Sequence, residues 1–349
     1  MFDIFKSRQL PITVRDYPDH PVDVSLFDTG HFDEMKRDGI ILSPVQIIHA
    51  ASIHYQGKFR KGKLLRLANA YLDILHNIEP VMDEKLKLKN TESSEFKTKS
   101  TEVIAVGICV AAAERLFRIN RNRISVIETS KKRCDFEFVK EQNVYTIESK
   151  GRQRKEDVDF AIRSIFKQKD GYAGPKYGFV SCLPRDGQRA ELSIVDPDFV
   201  EFQISRIDLI KRLLRYYSKL SYLAGFYLLG GALEYRASQL VEEEDLVRLD
   251  KRSLDLSVAK LGTSLVLRVG EHGWNFFIPR GREYGFRVEF ENYRFQFGIS
   301  EHLIELLISQ DFLGIENYRQ EFSESFTSLE TPISVASDGS ALIFSNMLE

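Results

Sequence analysis

Between residues 123 and 150 three short ribbons, RISVIET, RCDFEFV and NVYTIESK, follow one another with three residues between each pair. Each is rich in β-branched and aromatic residues and alternates as a half-buried strand does. Connections this short join antiparallel neighbours only, because a parallel crossover takes a dozen or more residues. The three ribbons therefore predict a meander. Ahead of them TEVIAVGICVAAAERLFRI places Val106, Cys109, Ala113 and Leu116 on one helical stripe. After them a helical pattern from about Glu156 to Lys169 is long enough to cross the sheet before a further strand, KYGFVSCL, ending at Leu183. The order αβββαβ predicts an α/β fold with one mixed sheet and flanking helices.

This core occupies residues 100–199 of a 349-residue chain, which is long for a single domain. Residues 1–99 read as mainly helical: SPVQIIHAASIHYQG opens with Ser43 as N-cap and Pro44 at the first helical position, and KGKLLRLANAYLDILHN follows with helical spacing. The charged, serine-rich run at residues 83–100 predicts an exposed connection or helix end. Residues 200–349 predict an α+β domain. It begins with one long helical pattern, ISRIDLIKRLLRYYSKLSYLAGFYLL, and continues through TSLVLRVG, GWNFFIP and YGFRVEFENYRFQFG to a hairpin around Asp338-Gly339.

Several classes are disfavoured. The longest apolar run, YLAGFYLLGGAL, falls short of the ~20 residues of a membrane span and reads as a buried helix. Three separated cysteines predict neither a disulfide framework nor a zinc site and fit a reducing cytoplasm. The basic GKFRKGK at residues 57–63 lacks the phosphate-loop pattern. His49 and His54 have no acidic or cysteine partners in their helical stretch and read as core or surface residues. A net charge of -2 means that any polyanion site must come from local clustering.

The charged residues of the ribbons are the informative ones. Alternation sets Asp135 against the aromatic face of its strand and puts Glu148 and Lys150 on one face of the next. If these faces meet across the meander, two carboxylates and an ammonium converge. Glu102 extends the buried stripe of the first helix and is expected to point to the same sheet. Converging carboxylates need a cation, and hard oxygen ligands without histidine or cysteine select Mg²⁺ or Mn²⁺.

Glu102, Asp135 and Glu148-Ser149-Lys150, set on the αβββαβ order, resemble the PD-(D/E)XK, or restriction-endonuclease-like, nuclease superfamily over residues 101–183. Cys134 stands where the family name has proline. The resemblance implies Asp135 and Glu148 as metal ligands, Lys150 as catalytic lysine and Glu102 as an auxiliary acid. It further implies a phosphodiester hydrolase for DNA in restriction, phage defence, repair or mobile-element processing. Lys131, Lys132, Arg133, Arg152, Arg154 and Lys155 bracket the acids and are expected to hold nucleic-acid phosphates. Arg163 and Lys167 of the following helix are further candidates, as is the mixture of Arg282, Tyr284, Arg287, Tyr293 and Arg294. A ribonuclease with the same site and a catalytically silent nucleic-acid-binding or assembly protein are the alternatives. The C-terminal domain is the expected surface for substrate, a protein partner or a homo-oligomer.

Overall fold

The computed structural model describes residues 10–17, 29–54, 78–79, 87–88, 94–127, 135–169, 176–183, 189–195, 203–256, 262–269, 272–279, 288–290, 293–320, 325–328 and 331–346. The chain divides into two compact units, one of residues 1–119 and 124–203 and one of residues 120–123 and 204–349. Lys131, Lys132, Arg133, the basic stretch 57–63, the helical pattern 61–77 and Arg282, Tyr284 and Arg287 lie outside the described residues.

The elements of the first unit are β1 (Leu10–Asp16), α1 (Thr29–Asp38), β2 (Ile40–Leu42), α2 (Pro44–His54), the short pair β3 (Ile78–Glu79) and β4 (Lys87–Leu88), and α3 (Ser94–Leu116). Then follow β5 (Ile124–Val126), β6 (Phe136–Lys140), β7 (Asn143–Arg152), α4 (Glu156–Lys169), β8 (Lys176–Cys182) and β9 (Glu191–Val195). The predicted order of helix, three strands, helix and strand is present in α3 to β8, and the unit is α/β. Its seven-stranded mixed sheet runs β2-β1-β9-β8-β7-β6-β5. β5, β6 and β7 pair antiparallel as the meander, and β8 pairs parallel with β7 after α4 has crossed over.

Residues 1–99 do not stand apart from this core. β1 pairs parallel with β9 and antiparallel with β2, so the N-terminal stretch completes the sheet. Pro11 stands near the start of β1, ahead of Thr13 where the pairing with β9 begins, so its missing N–H costs no bond to β9. The run at residues 83–100 is a connection in part only, because α3 starts at Ser94. Between residues 103 and 113 α3 is buried on nearly all sides. Gly107 is required there, since a Cβ would lie 2.3 Å from the Ile47 carbonyl oxygen of α2.

The sheet has two covered faces. On one, Phe117 packs against Phe138 and Tyr177 with ring centroids 4.1 and 5.0 Å apart, and Phe138 stacks on Tyr145 at 4.8 Å. On the other, Ala161, Ile162 and Ile165 of α4 meet Val180 and Val195. His49 and His54 are both core residues of α2, and the His54 ring nitrogens lie 3.0 and 3.1 Å from the carbonyl oxygens of Ala50 and Ile124.

The second unit contains α5 (Arg206–Ala224), α6 (Tyr227–Gln239), α7 (Glu243–Leu249), β10 (Gly262–Val269), β11 (His272–Pro279), β12 (Val288–Phe290), β13 (Tyr293–Ser300), α8 (Glu301–Ser309), α9 (Phe312–Asn317), β14 (Ser325–Ser328), β15 (Thr331–Val335) and β16 (Ser340–Asn346). Its antiparallel sheet runs β10-β11-β13-β16-β15-β14, with β12 on β13. The single long helix expected after residue 204 is two helices. Gly225, at φ +87°, closes α5 in the left-handed conformation, its N–H donating to Tyr222 O and the Phe226 N–H to Ser221 O. The hairpin at Asp338-Gly339 is present, and its turn is buried. Asp338 accepts hydrogen bonds from the Tyr216 hydroxyl and, at 3.0 Å, from the Ser340 N–H. Among the described residues no helix is long and apolar enough to cross a membrane.

Candidate metal centre

The β6–β7 register decides where the acids stand. Phe138 lies opposite Tyr145 and Phe136 opposite Ile147. One step beyond the last paired rung, Asp135 faces Glu148 from the same side of the sheet. The turn that enters β6 is pinned from β7, because the Ser149 N–H donates to Asp135 Oδ2 at 2.9 Å. Lys150, two residues after Glu148 and on its face, forms an ion pair with Glu148 Oε1. The expected convergence of Asp135, Glu148 and Lys150 is therefore present.

This face is the one that α4 covers. Gly178 and Val180 of β8 lie opposite Glu148 and Lys150, and the missing side chain at Gly178 admits Ile165. Glu148 is consequently only 2% exposed, and its Oε2 has no hydrogen-bond partner. Burial, with the Asp135 charge second, pushes the Glu148 carboxyl up to about 7, against the opposing pull of Lys150 and of the Asp135 backbone amide. Burial also pushes the Asp135 carboxyl up, partly offset by the Ser149 amide and by Lys150. Both acids hold their protons more tightly than exposed acids do, chiefly because burial disfavours their charged forms.

Glu102 does not join them as expected. Helix α3 packs on the opposite face of β7, the face of Ser149 and Gly151, and Glu102 itself is exposed. The inward position of that turn belongs to Thr101, whose Oγ1 accepts from Gln153 Nε2 at 2.8 Å and whose carbonyl oxygen abuts Gly151. Val106 of the expected stripe is itself only half-buried, so extending the stripe by four residues from Val106 to Glu102 reaches the solvent side. Among the described residues no group of three or more histidine, cysteine or acidic side chains is placed to hold a metal ion, so the candidate centre rests on two carboxylates. Cys109 of α3 is buried behind the site against Ser149, and burial pushes its thiol up, which keeps it protonated and a poor ligand.

The downstream basic bracket is divided. Arg152 Nη1 donates to the Gly151 carbonyl at 2.7 Å, and Lys155 pairs with Glu191 of β9 at 2.8 Å, where Arg15 also reaches at 3.3 Å. Arg154 is exposed and has no such partner among the described residues. On α4, Arg163 is exposed beside Phe160, which is 67% exposed, while Ile162 and Ile165 are buried. The Ser149 amide and the Thr101–Gln153 bond are positioning contacts with no signal in the sequence, because they depend on register and on the approach of two elements.

Asp135 and Glu148 fit a hard divalent cation. They offer carboxylate oxygens alone, one of them buried and unpartnered, and Mg²⁺ commonly uses one or two carboxylates with water or phosphate completing its shell. Compared with protein-family models, curated proteins and solved structures, the chain matches none.

Proposed function

We propose that the chain is a divalent-metal-dependent nuclease that hydrolyses phosphodiester bonds of DNA, with a restriction-endonuclease-like core in its first unit. The observation that carries this reading is the buried Glu148 Oε2 without a partner, opposite Asp135 and beside Lys150. Asp135 and Glu148 would hold Mg²⁺ or Mn²⁺. When bound, such an ion supplies charge neutralisation at a phosphoryl oxygen and a more acidic water. The rest falls to the chain. The Ser149 amide fixes the Asp135 carboxylate, and Lys150 holds Glu148 and stands where it can stabilise negative charge developing on phosphate oxygens. Arg154 can hold the backbone of the substrate without reading its sequence.

The test is cleavage of labelled DNA duplexes and single strands by the full chain with Mg²⁺ or Mn²⁺, alongside matched RNA. Wild type is expected to cut DNA, and Asp135→Asn, Glu148→Gln and Lys150→Ala to lose the activity while remaining folded. Mg²⁺-dependent cleavage retained by Asp135→Asn refutes the assignment.

A silent scaffold is favoured by one observation: Lys150 and the Ser149 amide already occupy one oxygen of each acid. That reading expects no heat of Mn²⁺ binding that disappears on Glu148→Gln.

A further inference from the structure

Helix α5 carries a charge pattern that the fold does not require. Its sequence RIDLIKRLLRYYSKLSYLA buries Ile207, Leu209, Ile210, Leu213, Leu214 and Leu220. On the open side Lys211, Arg215 and Lys219 recur every four residues, which sets them about 6 Å apart on one line. Arg215 is exposed and the two lysines are half-buried. Like charges at this spacing repel, at about 0.2–0.5 kcal/mol for each pair.

Nothing in the helix offsets the repulsion between Lys211 and Arg215 among the described residues. Its only acid, Asp208, is engaged at the N-cap by Ser205 Oγ at 2.9 Å, and Arg206 is taken by Glu316 at 2.9 Å. The side chains of Lys211 and Arg215 have no ion pair or hydrogen bond among the described residues. Two other helices pair a cation with an acid: Lys36 of α1 meets Asp33 at 3.0 Å, and Arg248 of α7 meets Asp245 at 2.5 Å. The contrast is sharper in a chain with 49 basic and 51 acidic residues. Helix stability does not explain the line either, since Ser205 and Gly225 already close both ends.

From this pattern we propose that the open face of α5 is a second DNA-binding surface, with Lys211 and Arg215 contacting successive phosphates of one strand. The proposal rests on nucleic acid as the partner class of the proposed function, though not on cleavage. An acidic protein fits less well. Protein interfaces are anchored by apolar and aromatic side chains, and α5 exposes no large hydrophobic one. Evenly spaced single cations without such anchors match a backbone of evenly spaced phosphates. At the far end Tyr222 lies against Glu234 of α6, so the cationic line stops there.

The test uses the full chain carrying Glu148→Gln, in EDTA, so that DNA is bound and not cut. Affinity for a short labelled duplex is measured across a salt series, with and without Lys211→Gln/Arg215→Gln. The double change is expected to lower affinity on the order of tenfold at low salt and to reduce the slope of log K against log salt by about 1.8. Thermal unfolding should be unchanged or slightly raised, because the repulsion along the line is relieved. Arg215→Gln alone, the milder change should the double variant misfold, should reduce the slope by about 0.9. An unchanged slope in either variant overturns the proposal, as does equal loss of binding to a poly-glutamate peptide that competes for the same face. Wild type that binds DNA through α5 and never cuts it with Mg²⁺ or Mn²⁺ leaves this inference standing and sinks the nuclease. Cutting with an unaltered salt slope in the variant does the reverse.

Discussion

The carbonyl oxygen of Thr101 in α3 lies 2.7 Å from where a Cβ on Gly151 of β7 would sit. Helix and strand touch backbone to backbone at that point, one residue after Lys150, and the Thr101–Gln153 hydrogen bond secures the contact two residues further on. The end of β7 that carries Glu148 and Lys150 is thereby fixed against α3.

Gly151→Ala should therefore separate these two elements. The obstruction is backbone, which cannot swing aside, so a loss of about 1–3 kcal/mol is expected in urea unfolding. Gly178→Ala is the control. Its Cβ would meet Ile165 Cδ1 and Cγ2 at 3.0 and 3.2 Å, side-chain atoms that can shift, and the loss should be smaller.

Stability should fall as pH rises toward neutrality. Glu148 in the folded chain titrates at about 7, against an ordinary value of 4.5, so between these pH values the folded state binds a proton that the unfolded state has lost. Linkage then makes unfolding easier with rising pH, up to a few kcal/mol in total, with no further contribution above about pH 7. Glu148→Gln should flatten this part of a Tm-against-pH profile and unfold at higher temperature than wild type at pH 8. Added Mg²⁺ should raise the Tm of wild type at pH 8 and leave that of Glu148→Gln unmoved.

Within the downstream bracket the cations should not contribute equally. Arg154→Ala is expected to reduce the salt slope of DNA binding by about 0.9. Lys155→Ala should do less, because its ammonium is already held by Glu191. Equal effects in the two variants would show that the Glu191 pair opens on binding.

Tyr216→Phe probes the second unit alone. Removing the hydroxyl takes one donor from the fully buried Asp338 carboxylate. A cost of about 1–3 kcal/mol is expected, read as a lower denaturation midpoint of that unit. No change in Mg²⁺ response should accompany it.

What was legible in the sequence follows from the range of each signal. The meander could be read because alternation and three-residue connections are local, and the same alternation put Asp135, Glu148 and Lys150 on one face. The crossover helix was predicted over the residues it occupies, since Ile162 and Ile165 mark its inner side. Gly225 was visible, yet its role needed a positive φ that no apolar pattern announces. The place of β1 in the first sheet depends on a partner, Glu191–Val195, far along the chain. Glu102 was misplaced because a helix buried almost all round has no single inward stripe to extend.

The four residues 120–123 belong to the second unit although the chain on either side belongs to the first. Asn122 Nδ2 donates to the Tyr217 hydroxyl at 2.7 Å, the Arg121 N–H to Ser337 Oγ at 3.1 Å, and Arg123 Nη2 to the Glu316 carbonyl at 2.7 Å. These partners stand 95, 216 and 193 residues away in sequence. The second unit is therefore built from two separate stretches of the chain, and bringing them together carries a loop-closure entropy cost that a continuous segment does not have. A fragment beginning at residue 204 would lack an internal part of itself, and supplying residues 120–123 as a separate peptide would be a form of complementation.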